Sequence, residues 1–160
     1  MADDTFESRG INSVVWSGKP KIREFRANGT DIKPGLLVTT SSETYPDIDL
    51  CASGEVPIGV VLERFDKDID TAYDDDDEHV PVALIAENPG LGVYVFKTAN
   101  AGDTDFHTVF VSDDNGMITP FSYTDGAVAT DTLITKVGKG AEHLSNDASN
   151  AKLTKIFLGV

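Results

Sequence analysis

The densest set of residues able to do chemistry is a run of carboxylates, Asp66-Lys67-Asp68-Ile69-Asp70, followed by Tyr73 and then by Asp74-Asp75-Asp76-Asp77-Glu78. A calcium loop needs oxygen ligands at alternating positions, and Asp66, Asp68 and Asp70 take the first, third and fifth positions of such a loop. There the pattern departs. The sixth position, where a sharp turn calls for Gly, is Thr71, and the twelfth, where a bidentate Glu closes the shell, is Asp77. No helices are indicated on either side. Asp66, Asp68 and Asp70 are therefore the calcium candidates, set against a solvated acidic loop kept open by repulsion among its own charges.

Other reactive residues are scattered. His79, His107 and His143 lie far apart and form no HxH or HExxH pattern, so zinc is not indicated. The single cysteine, Cys51, excludes an intrachain disulfide and reads as a small half-buried residue. There is no GxSxG elbow, and Gly138-Lys139-Gly140 lacks the length and the Ser/Thr of a phosphate loop. Neither an enzyme nor a cofactor is expected.

Charge narrows the partners. Thirteen Lys+Arg against 27 Asp+Glu leave a formal net charge of −14, which repels phosphate backbones and argues against direct nucleic-acid binding. No apolar run approaches the roughly 20 residues needed to cross a bilayer, and the start, Met1-Ala2-Asp3-Asp4-Thr5-Phe6-Glu7, lacks a basic then apolar leader pattern. No membrane association is expected, and synthesis in a cytoplasm is. The few basic residues are uneven: Lys19, Lys21, Arg23 and Arg26 share one short stretch with Phe25, just after the only tryptophan, Trp16. An aromatic in such a segment either anchors into a neighbouring surface or packs back on its own domain. The partner-binding candidates are accordingly Trp16, Lys19, Lys21, Arg23, Phe25 and Arg26.

The elements that must position these residues are short strands. Residues 1–27 lack clean periodicity and read as an extended N-terminal arm, and residues 28–160 as one β-barrel domain opened by the Asn28-Gly29 turn. Pro34-Gly35 is a turn in which Pro presets φ and Gly takes the positive φ. Strands are predicted over Leu36–Thr40, Val56–Leu62, Val80–Ala86, Leu91–Thr98, His107–Ser112, Gly116–Pro120, Val128–Val137 and Leu153–Leu158. Glu87-Asn88-Pro89-Gly90 reads as the turn of a hairpin between the third and fourth of these. His143–Lys152 is the best helical stretch, and it is too polar and turn-prone to expect a helix.

The strand plan is used twice. Ile32-Lys33-Pro34-Gly35-Leu36-Leu37-Val38, Pro57-Ile58-Gly59-Val60-Val61-Leu62-Glu63 and Val80-Pro81-Val82-Ala83-Leu84-Ile85 make one unit. The second runs through Ala101-Gly102-Asp103, Val109-Phe110-Val111, Val137-Gly138-Lys139-Gly140-Ala141-Glu142 and Lys155-Ile156-Phe157-Leu158. Val38 and Val111 are 73 positions apart, Gly59 and Gly138 are 79 apart, as are Glu63 and Glu142, and Leu84 and Leu158 are 74 apart. An all-β fold follows, a small β-barrel or β-clip-like body with an internally repeated strand plan.

The phrases "IKPGxLV", "PIGVVLE", "VPVALI" and "GVYVF" resemble, over residues 28–160, the capsid cement and head decoration proteins of tailed viruses. The resemblance implies a non-enzymatic virion protein on the outer capsid surface. It would be a homotrimer at three-fold positions that clamps subunits of the major capsid protein and stabilises their lattice. Two other classes stay open: a tail or fibre-base β domain, and a cellular β-barrel ligand-binding module, which would need a concave apolar pocket.

Overall fold

β-Branched and aromatic residues in short runs, cut by Gly and Pro, leave the chain little choice but strands. The computed structural model describes residues 6–7 (backbone only), 13–28, 31–40, 47–64, 69–73, 78–99, 102–121, 136–145 and 150–160. In chain order the strands are β1 (Phe6–Glu7), β2 (Val15–Ser17), β3 (Ile22–Ala27), β4 (Leu37–Thr40), β5 (Asp47–Leu50), β6 (Gly59–Val61) and β7 (His79–Leu84). They continue with β8 (Gly92–Lys97), β9 (Val109–Ser112), β10 (Ile118–Pro120), β11 (Lys136–Gly140) and β12 (Ala151–Leu158). Apart from two single 3-10 turns, Ile85–Glu87 and Asp114–Gly116, the described residues hold no helix.

The strands close two barrels in tandem. The first runs β3-β5-β4-β6-β7 and the second β8-β10-β9-β11-β12, each ring sealed by its first and last strands. The order is the same in both, and so is every direction: the first strand is parallel to the third, and all other neighbours are antiparallel. The internal repeat expected from sequence is thus one barrel per copy. It extends into the turns. Val61 N–H donates to Leu36 O at 3.0 Å, as Gly140 does to Thr108 at 2.9 Å; Leu62 donates to Pro81 O at 2.9 Å, as Ala141 does to Lys155 at 2.9 Å. Even the isolated bridge Ile32–Tyr73 has its twin in Thr104–Leu144.

Register corrects the sequence alignment at two points. Val38 faces Gly59 and Phe110 faces Gly138, so the counterpart of Val38 is Phe110 and not Val111. One residue matters because it exchanges the two faces of a strand: Val38 and Phe110 are both fully buried, whereas Val111 is half-buried. Likewise the Pro34-Gly35 turn, closed by Leu36 N–H to Lys33 O at 3.1 Å, corresponds to Phe106-His107, closed by Thr108 N–H to Asp105 O at 3.2 Å. The Ala101-Gly102-Asp103 segment is not its counterpart.

Two further expectations are overturned. Residues 15–27 are not an extended arm. β3 is a wall of the first barrel, paired with β7 and β5, and β2 pairs with β8 on the second. Nor do β7 and β8 form a hairpin: each completes its own ring, so both edges of each are occupied, and residues 85–91 carry the chain from one barrel to the other.

The first barrel's interior is filled by residues such as Phe25, Ile32, Ile48, Tyr73 and Val82. Strand alternation turns the next residues outward. In the first barrel Leu37, Val60 and Ala83 do so, and they join the larger cluster that fills the second barrel through Val93, Phe110, Ile118 and Ile156. One apolar cluster therefore spans the joint. There Gly35 takes φ 88° and its carbonyl accepts from Phe96 N–H at 3.0 Å. A Cβ on Gly35 would lie 2.8 Å from Leu153 Cδ2 and 3.3 Å from the Phe96 ring, so only glycine lets this turn seat against β8 and β12.

Candidate assembly surface

Alternation along β3 splits the basic segment. Phe25 and Ala27 point into the first barrel and are buried, whereas Ile22, Glu24 and Arg26 point outward, opposite Ala83, Pro81 and His79 of β7. On this outer face Arg26 Nε donates to Asp47 Oδ1 at 2.6 Å, and His79 Nδ1 lies 3.6 Å from Glu24. The second pair is mostly exposed and contributes little. At the strand's start Arg23 grips Glu87 with two bonds of 2.7 and 3.0 Å, which holds the Glu87 carboxyl below its ordinary value. Lys21 donates its backbone N–H to Asn88 Oδ1 at 2.7 Å, and Lys19 is exposed. Arg23 and Arg26 are therefore paired within the chain.

Trp16 is used internally too. Its ring lies 5.3 Å from that of Phe157 at 56°, its Nε1 donates to Val93 O at 3.1 Å, and Lys155 Nζ sits 5.3 Å from its centroid. Gly92 makes room, since a Cβ there would approach the indole to 2.7 Å. The tryptophan thus clamps β2 on the second barrel. Sequence alone left this reading level with an anchor into a neighbour.

The second barrel ends in the turn Asp105-Phe106-His107. Asp105 Oδ1 accepts from His107 N–H at 2.9 Å, which fixes the turn, and Phe106 stands 62% exposed. Sequence reading missed Phe106. The signal was present once the register was right: an aromatic stands where the first copy has Pro34. Among the described residues, Val56 and Ile22, each 52% exposed, are the other large apolar side chains most open to solvent, with Val160 at 42%.

Of the calcium candidates, Asp66 and Asp68 lie outside the described residues, while Asp70 is exposed in a turn. Among the described residues no group of three His, Cys, Asp or Glu side chains is placed to hold a metal ion. Cys51 is fully buried beneath the joint, and burial pushes its thiol up to about 11, with the Ser112 hydroxyl opposing the shift and Glu55 adding to it. That thiol is not a nucleophile at neutral pH. His79 lies on β7, His107 in the 105–108 turn and His143 beyond β11.

No family model matches the sequence, and no curated protein does. Among solved structures, the N base of head fiber gp8.5 in bacteriophage phi29 is similar, with a TM-score of 0.54 at 14% identity over 88% of this chain and 94% of that one. At that identity the likeness is one of fold. The chain is all-β, and its fold resembles that of this head-fibre base.

Proposed function

We propose that this chain is a structural virion protein of a tailed virus that binds the outer surface of an icosahedral head and stabilises the lattice of major capsid subunits as a homotrimer at three-fold positions. It acts without catalysis or cofactor. The observation that carries this reading is the nearly end-to-end fold likeness to a head-fibre base. The resemblance of residues 28–160 to head decoration proteins supports it independently. A charge of −14 suits a protein that must stay soluble before assembly. With Trp16 and Phe25 occupied inside the chain, exposed Lys19 and Lys21 are the part of the basic segment left to meet acidic capsid residues.

The fibre likeness also favours a second reading, the base of a fibre present at fewer sites. Quantitative mass spectrometry of purified particles separates the two. About one copy per major capsid subunit supports a lattice-wide cement. A ratio of a few per cent supports the fibre base, and absence from particles overturns both.

A further inference from the structure

Each barrel carries a turn and an outer face, and the joint inside the chain uses one of each. The first barrel gives its turn, Lys33-Pro34-Gly35; the second gives the outer face of β8 and β12, where Phe96 and Leu153 receive Gly35. Among the described residues the remaining turn and the remaining face make no such joint. By the shared register the unused turn is Asp105-Phe106-His107. The unused face is that of β3 and β7, where Arg26, whose main chain already pairs with Asp47 of β5, stands for Phe96 and His79 for Leu153, so the joint there would be one of side chains.

The unused pair is chemically complementary, with its parts exchanged. In the internal joint the turn supplies the cation and the face the aromatic ring, Lys33 Nζ lying 5.7 Å from the Phe96 centroid. In the unused pair the turn supplies the aromatic, Phe106 at 62% exposure, and the face supplies the Arg26 guanidinium. The face also carries Asp47, which accepts from Arg26 Nε at 2.6 Å, and Glu24, so what it offers the turn is the flat face of an already paired guanidinium for the Phe106 ring. A guanidinium that keeps its own carboxylate, Asp47, and lies against an aromatic face is a favourable set, worth most once desolvated.

We propose that a second copy of this chain seats its 105–107 turn on the outer face of β3 and β7, repeating between chains the joint that the two barrels make within one. Such a contact is head-to-tail, so it propagates into a closed ring or an open row rather than stopping at a symmetric pair. It does not depend on the virion reading, because any function built on this tandem barrel would present the same turn and face.

Light scattering after size exclusion tests it on the full chain across a dilution series. The unaltered protein is expected to form multi-chain species, and Phe106→Asp and His79→Glu each to reduce the mass to that of one chain, 17.1 kDa. Mixed in equal amounts, the two variants keep one intact turn and one intact face between them and should stop at two chains. A single-chain mass for the unaltered protein, an unchanged mass for either variant, or no recovery on mixing overturns the proposal. Oxidising a mixture of His107→Cys and His79→Cys chains gives a second readout that tolerates some loss of stability. A covalent two-chain product supports the joint, and its absence overturns it.

Discussion

Gly59 and Gly138 stand at the same place in the two barrels, opposite Leu84 and Leu158 of the neighbouring strand. A Cβ on Gly59 would lie 2.5 Å from the Ala83 carbonyl oxygen, and one on Gly138 would run into that of Phe157. Backbone on both sides leaves little room to give. Gly59→Ala and Gly138→Ala should therefore each lower the unfolding free energy by about 2–3 kcal/mol, read from urea titrations. Cys51 sets a pH dependence. Its thiol is raised to about 11 in the folded chain against an ordinary value of 9.0, so above the latter the unfolded state has released a proton that the folded state keeps. Stability should fall between about pH 9 and 11, and the fall should flatten in Cys51→Ala, measured by denaturant titration at stepped pH.

At the scale of elements, the repeat shows how one residue redirects another. Glu142 accepts from Lys155 N–H at 3.1 Å, whereas the counterpart of Lys155 in the first barrel is Pro81, which has no N–H to give. Glu63, the counterpart of Glu142, instead binds Ser13 Oγ at 2.7 Å and Val14 N–H at 3.1 Å, and so ties down the segment leading into β2. Segment 13–27 is consequently structural. Deleting residues 1–27 takes β3 out of the first barrel and Trp16 off the second, so the truncated chain should lose its cooperative thermal transition in circular dichroism. Deleting residues 1–12, which removes β1 among the described strands, should preserve that transition.

For the whole molecule, the apolar cluster that crosses the joint couples the two barrels. A single calorimetric transition with equal calorimetric and van't Hoff enthalpies is expected. Gly116 is the sharpest probe of the coupling. It takes φ 76°, donates to Cys51 O across the joint at 2.8 Å, and a Cβ there would come within 2.7 Å of Leu37 O. Gly116→Ala should cost about 2 kcal/mol and lower the melting temperature by roughly 4–8 °C, as seen by scanning calorimetry.

The all-β class, the turns at Pro34-Gly35 and residues 87–90, most strand positions and the existence of a repeat were legible in the sequence. These depend on local preferences: β-branched runs favour strands, and Pro and Gly favour turns wherever they stand. Tertiary structure decided the rest. Whether β7 pairs with β8, whether Phe25 faces a partner or a core, and whether Val38 answers to Phe110 or Val111 all depend on ring closure between strands far apart in the chain. The candidate surface followed the same division. Lys19, Lys21 and Arg26 were visible as charge, but the exposed Phe106 and its matching face became recognisable only when register showed which turn and which face the internal joint leaves unused.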